Sequence, residues 1–283
     1  MDVLITAGQL ADRLASGRRT VVLDVRWKLG SDTGHGDYLA GHVPGAVYVD
    51  LETELAAPPS AGQGRHPLPD PAVFAAAVLR WGIHPGDTVV AYDAVGGLSA
   101  ARAWWLLRDA GLDTVLLLDG GWAAWQEAGG GVETGEVRAD PGTWVPVPGS
   151  LPVIDADQAA AFAEQGILLD ARAGERYRGE VEPVDPRPGH IPGALSASTA
   201  ENLDAAGRFL PAESLRARFA GIDPALASGA DGRPVAVYCG SGVSAAHQIA
   251  ALEMAGVRAA LYPGSYSQFS SDPGREVTTG PDA

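Results

Sequence analysis

The sequence predicts an α/β protein built from two tandem domains, each a parallel sheet with helices on both faces. Three observations carry that prediction. Short runs of Val, Leu and Ile, four to six residues long, recur along the chain, as expected for strands buried on both faces. They alternate with amphipathic stretches of helical period, and alternating β and α segments imply parallel pairing. The chain also repeats itself: Asp24 and Asp170, Arg26 and Arg172, and Asp93 and Cys239 each lie 146 positions apart.

Five blocks recur in the same order. Val21-Val-Leu-Asp24-Val-Arg26 matches Ile167-Leu-Leu-Asp170-Ala-Arg172, and Gly41-His42-Val-Pro44-Gly45-Ala46 matches Gly189-His190-Ile-Pro192-Gly193-Ala194. Val89-Val-Ala-Tyr92-Asp93 matches Val235-Ala-Val-Tyr238-Cys239. Ser99-Ala-Ala matches Ser244-Ala-Ala, and Leu118-Asp-Gly120-Gly-Trp122 matches Tyr262-Pro-Gly264-Ser-Tyr266. Helices are expected over 7–15, 71–81, 98–110 and 122–128 in the first copy, and over 155–165, 212–220 and 244–255 in the second. A Gly/Pro-rich stretch, 129–152, separates the copies. The expected organisation is a domain over 1–135, a linker over 136–150 and a second domain over 151–283.

Composition narrows the function. A length of 283 residues suits two domains, and 46% hydrophobic with 19% charged residues describes a globular chain. Apolar runs are too short to span a bilayer and the N-terminus lacks a basic leader, so a cytoplasmic protein is expected. A net charge of −15 argues against nucleic acid or an anionic membrane as partner. No His/Cys/Asp spacing suggests a metal site, and the glycine pairs lack a dinucleotide fingerprint, so no cofactor is expected.

The repeat separates scaffold from chemistry. Asp24/Asp170, Arg26/Arg172 and His42/His190 occur in both copies and are read as structural. Cys239 occurs once; it is the only cysteine, and its counterpart is Asp93. It ends an apolar run and opens the loop Gly240-Ser241-Gly242, which leads into a helix. Glycines let N–H groups turn toward one point, and the helix adds its positive end there, so the pattern reads as an activated thiolate. A carboxylate is no sulfur nucleophile, so the first copy is expected to be inert. His247, in one copy only, is read as helix packing.

Two such units, with Gly-His-x-Pro-Gly-Ala in each and Cys-x4-Ser-Ala in the second, resemble the tandem-domain rhodanese family, the 3-mercaptopyruvate and thiosulfate sulfurtransferases. The resemblance implies two rhodanese-like domains. It also implies a Cys239 persulfide that receives sulfur from a donor and passes it to a thiol, thioredoxin or cyanide. The Gly240-Ser241-Gly242 loop resembles the mercaptopyruvate type, whereas thiosulfate-using members often carry Arg-Lys-Gly there. In the mercaptopyruvate type the resemblance assigns a proton relay to Ser241, His66 and an acid at Glu52, where the family usually has Asp. It assigns donor binding to Arg176, joined by Arg187 or Arg178, and to the loop residues Gly240, Gly242, Val243 and Ser244. With no second cysteine, sulfur must leave to an external acceptor. A phosphatase of related fold would need Arg six positions after the cysteine, where Ala245 stands. The readings carried forward are a 3-mercaptopyruvate sulfurtransferase, a thiosulfate sulfurtransferase, and a non-catalytic sulfur-carrier module.

Overall fold

The computed structural model describes residues 2–228 and 232–281; the outermost positions of the expected domains, Met1 and Ala283, lie outside them. The chain forms two compact units. The first comprises Met1–Ala57, Pro69–Leu151 and Ala205–Phe209, and the second Pro58–Leu68, Pro152–Asp204 and Leu210–Ala283.

In the first unit the order is β1 (Leu4–Ile5), α1 (Ala7–Ala15), β2 (Thr20–Asp24), α2 (Gly34–Ala40), β3 (Val47–Tyr48) and α3 (Leu51–Glu54), then α4 (Pro71–Arg80), β4 (Thr88–Tyr92), α5 (Ala100–Asp109), β5 (Val115–Leu118) and α6 (Gly121–Glu127). The sheet order is β1-β5-β4-β2-β3, and every pairing is parallel. β4 is buried along its whole length, as its unbroken apolar run requires. Thr6 and Gln9 close a reciprocal capping box at α1, and Asp70 caps α4, which has Pro71 at its first position.

The second unit repeats the plan with α7 (Ala156–Ala161), β6 (Ile167–Asp170), α8 (Gly174–Tyr177), β7 (Leu195–Ser196), α9 (Ala212–Ile222), β8 (Val235–Tyr238), α10 (Val243–Met254), β9 (Ala260–Leu261) and α11 (Ser265–Phe269). Its sheet runs β7-β6-β8-β9, again all parallel. A single parallel bridge from Val153 to Leu261 stands where β1 lies in the first unit. The central β8 is fully buried, and its carboxyl end delivers Cys239.

Three features differ from the sequence expectation. Residues 136–150, expected as a linker, are bound to one unit. They group with the first unit, because their N–H groups find acceptors there: Gly142 on Leu79 (2.7 Å), Thr143 on Ile83 (2.9 Å) and Val147 on Ala110 (3.0 Å). Pro58–Leu68 groups with the second unit although it lies in the first half of the sequence. Helices α2, α3, α8 and α11, of four to seven residues, were not expected, since so few residues show no period.

The doubled residues build one network twice. Arg26 donates to Asp24 (2.8 Å) and to the Gly41 carbonyl (3.1 Å); Arg172 donates to Asp170 (2.6 Å) and to the Gly189 carbonyl (2.6 Å). His42 and His190 each bond a tyrosine carbonyl through Nδ1 at 2.8 Å and stack on that tyrosine ring, Tyr38 or Tyr177. Among the described residues no helix is long and apolar enough to cross a membrane.

Candidate active site

Cys239 is buried, 1% exposed, at the point where β8 ends. The Gly242 N–H donates to its Sγ at 3.1 Å. Gly242 caps α10 with φ +80°, and a Cβ there would lie 2.5 Å from the Pro263 carbonyl oxygen, so only glycine closes this turn. Val243 opens α10, a helix that is buried on nearly every face, and Ser244 follows it. The positive end of α10 therefore faces the loop, as the sequence predicts.

The loop is held from behind by the turn of the repeated block Tyr262-Pro-Gly264-Ser-Tyr266. Ser265 accepts the Cys239 N–H on its hydroxyl (3.1 Å) and donates to the Tyr262 carbonyl (2.8 Å). The Tyr266 N–H bonds the Cys239 carbonyl (3.0 Å), and the Ser267 N–H bonds the Gly240 carbonyl (2.9 Å). Ser265 has φ +51°, the only non-glycine residue with positive φ among those described. Its two hydrogen bonds offset a conformational cost of about 1–2 kcal/mol.

Pro58–Leu68 brings two side chains to the same loop within the second unit. His66, 6% exposed, places Nδ1 2.7 Å from the Ser241 hydroxyl. Arg65 anchors its N–H on Ser267 Oγ (3.0 Å) and pairs through Nη1 with Asp185. Its Nη2 lies 2.7 Å from where a Cβ on Gly240 would stand, and Arg176 Nη1 lies 3.5 Å from the same point. Two guanidinium groups thus occupy the space beside Gly240 that a side chain would enter.

Arg176 sits in α8 and is held by carboxylates. Its Nη2 donates to Glu182 (2.7 Å) and Asp185 (2.8 Å). Glu182 also accepts from Arg172 (3.3 Å) and from the N–H groups of Val184 and Asp185. Burial pushes the Glu182 carboxyl up, but the Arg176 bond and those two N–H groups outweigh it and hold it below the usual range. At Asp185 burial prevails over the pull of Arg65 and Arg176, and the carboxyl is pushed up. A cavity of about 360 Å³ borders this cluster, lined in part by Arg65, Asp185 and Ser267.

The remaining expected residues have partners of their own. Arg187 is not brought to the loop: its guanidinium donates to the carbonyls of Ser270 (2.8 Å), Arg275 (2.8 Å), Asp272 (2.6 Å) and Phe269 (3.3 Å), closing the chain after α11. A Pro-rich stretch carries no period from which that direction could be read. Arg178 is an exposed partner of Glu180 (2.8 Å). Glu52 belongs to the first unit, on α3, and accepts from Trp27 Nε1 at 3.0 Å. His247 is buried and bonds Thr199 through Nδ1 at 2.7 Å, consistent with packing. The sequence gives no role to Arg65, Glu182, Asp185 or Ser265. Two of them carry a signal, Arg65 next to His66 and Ser265 within the repeated turn block.

A single buried thiol at the end of a central parallel strand, taking the Gly242 N–H at the mouth of a helix and with two arginines beside the next residue, defines a cysteine-loop enzyme for anionic substrates. Known proteins agree. The rhodanese-like domain family matches residues 6–128 and 155–272. A Pseudomonas aeruginosa protein provisionally named 3-mercaptopyruvate sulfurtransferase is 48% identical over 98% of both chains. A Mycobacterium tuberculosis protein provisionally named thiosulfate sulfurtransferase SseB is 47% identical over 98% of this chain and 97% of its own. The crystal structure of the 3-mercaptopyruvate sulfurtransferase SseA from Escherichia coli superposes with a TM-score of 0.82 at 31% identity, covering 94% of this chain and all of SseA. The chain belongs to the rhodanese family of sulfurtransferases.

Proposed function

We propose that the protein moves sulfur from 3-mercaptopyruvate to a thiol, thioredoxin or cyanide through a persulfide on Cys239. The Cys239 thiolate attacks the donor sulfur, an S–S bond forms and the donor C–S bond breaks. The electron pair of that bond leaves on pyruvate as its enolate, which takes a proton. The acceptor then attacks the outer sulfur and returns the thiolate. Arg176 binds the donor carboxylate, and the N–H groups around Gly242, Val243 and Ser244 hold the persulfide charge.

The observation that carries the donor choice is the 2.7 Å contact between Ser241 and His66. A leaving enolate needs a proton, and a hydroxyl coupled to an imidazole can deliver one. Glu52 is the acid that family resemblance adds behind them. Sulfite leaving from thiosulfate needs no proton, so the pair is idle with that donor. The mercaptopyruvate names of the Pseudomonas and Escherichia relatives support the same choice.

A thiosulfate reading is favoured by one observation, the second guanidinium beside Gly240, which suits a doubly charged anion. Kinetics with both donors and cyanide as acceptor decide between them. The expected result is a higher kcat/KM for 3-mercaptopyruvate. In Ser241→Ala, turnover with that donor should fall about 100-fold, with a far smaller loss for thiosulfate. Equal losses with both donors, or a wild type that favours thiosulfate, would promote the second reading.

A further inference from the structure

We propose that Asp185 is a specificity-determining residue of the donor site: by bridging Arg65 and Arg176 it limits the positive charge offered beside Gly240, so that the site favours a singly charged donor over a doubly charged one. The inference rests on the sulfurtransferase reading of the Cys239 loop.

The argument starts from which nitrogens are occupied. Asp185 takes Arg65 Nη1 on one oxygen and Arg176 Nη2 on the other. Its side chain is fully buried, against 24% and 18% exposure for the two arginines. The outer nitrogens, Arg65 Nη2 and Arg176 Nη1, carry no hydrogen bond among the described residues, and both approach the empty side-chain position of Gly240. Gly240 directly follows the nucleophile, and its carbonyl is fixed by the Ser267 N–H. The two open donors therefore converge where an anion carried by the sulfur donor would lie.

The charge they present is not that of two free cations. Around the loop stand Arg65, Arg172 and Arg176 against Asp170, Glu182 and Asp185. Three positive and three negative groups leave no net charge. Glu182 faces Arg172 and Arg176, and Asp170 faces Arg172, so among the described residues Asp185 is the one carboxylate that touches both arginines reaching Gly240. A donor with one negative charge is met by two directed hydrogen bonds and a neutral surround. A donor with two charges meets the same hydrogen bonds and the same neutral surround, so its second charge finds no excess cation to pair with and lies close to the Asp185 carboxylate. Asp185 also fixes the spacing of the two guanidinium groups, which would otherwise repel each other.

The test is kcat/KM for 3-mercaptopyruvate and for thiosulfate, at one pH and ionic strength, in the full-length wild type, Asp185→Asn, Arg65→Gln and the double variant. Asp185→Asn keeps the shape and removes the charge, and should raise the thiosulfate-to-mercaptopyruvate ratio about tenfold. Arg65→Gln should lower that ratio by a similar factor. The double variant, charge-neutral relative to the wild type, should return it to within about threefold of the starting value. A purely structural Asp185 would lower both donors by the same factor, and that result in a folded Asp185→Asn protein overturns the proposal. Should Asp185→Asn fail to fold, an Arg65→Gln ratio that does not fall overturns it equally. A wild type preferring thiosulfate would refute the proposed donor without altering the direction of these shifts, so the two readings fail separately.

Discussion

Asp93 and Cys239 each follow a tyrosine at the carboxyl end of a central strand, and each opens a loop that leads into a buried helix. In the first unit the loop closes on its own side chain. The Asp93 carboxylate accepts the N–H groups of Val95 (2.8 Å) and Gly97 (2.8 Å) on one oxygen, and of Ser99 (2.7 Å) and Ala100 (2.9 Å) on the other. Burial pushes this carboxyl up while the four N–H groups pull it down. In the second unit the equivalent side chain is a thiol that takes the Gly242 N–H. One fold thus makes an anion cradle twice, fills it internally in one copy and leaves it to the chemistry of sulfur in the other.

The supporting turns diverge accordingly. Gly121 and Ser265 occupy the same place, with φ +54° and +51°. The next residue donates to the strand-end carbonyl in each, Trp122 to Asp93 at 2.8 Å and Tyr266 to Cys239 at 3.0 Å. A Cβ on Gly121 would lie 2.4 Å from the Asp93 carbonyl oxygen, whereas Ser265 fits and accepts the Cys239 N–H. The arginine is also particular to one copy. Tyr38 and Tyr177 correspond, each bonding the carbonyl of the alanine that ends its Gly-His-x-Pro-Gly-Ala turn. The residue before them is Asp37 in the first unit and Arg176 in the second. The first copy therefore lacks both the nucleophile and the cation.

The sharpest way to break this comparison is to exchange the strand-end residues. Cys239→Ser should lose turnover by at least about 1000-fold, because a serine hydroxyl is not ionised near neutral pH. Asp93→Cys in that background should gain no sulfur after incubation with donor, since Asp37 stands where Arg176 would be needed. Peptide mass spectrometry reads both results; a sulfur-loaded residue 93 would show that the loop alone suffices.

A smaller effect is expected on stability. Asp93→Asn places an amide NH₂ against two inward-facing N–H groups and removes a buried charge held by four donors. It should destabilise the protein by about 3 kcal/mol, while folded protein keeps its kcat within about twofold. Urea unfolding and assays at low temperature test this. An unchanged midpoint would mean that the carboxylate does not anchor the first loop.

The smallest effect concerns pH. Burial raises the Asp24 carboxyl to about 6 from an ordinary 3.8; Arg26 and Tyr92 pull it down, and the nearby Asp93 adds to the rise. The folded state then holds the Asp24 proton more tightly than the unfolded chain. Its contribution to stability is complete below about pH 4 and is lost as pH rises through about 6, amounting to at most about 3 kcal/mol. Asp24→Asn should flatten that part of the stability curve, measured as urea midpoints from pH 4 to 7. An identical slope in both proteins would assign the pH dependence to other groups.

Much of this was legible in the chain itself. The duplication, the alternation of buried strands with helices, and the singular Cys239 with its glycine loop are all local patterns. Each is set by steric and hydrophobic rules that act within about twenty residues, so they survive without knowledge of the fold. The comparison of copies also separated scaffold from chemistry, because Asp170, Arg172 and His190 rebuild the bonds of Asp24, Arg26 and His42.

The tertiary structure decided what distant segments share. It took Pro58–Leu68 into the second unit, so that Arg65 meets Asp185 across 120 positions and Ser267 across 202. It spent Arg187 on four carbonyls after α11 and tied residues 136–150 to the first unit. None of these has a periodic signature. Each follows from backbone and charged groups that must find partners once buried, and which partner is nearest is settled only when both sheets have closed.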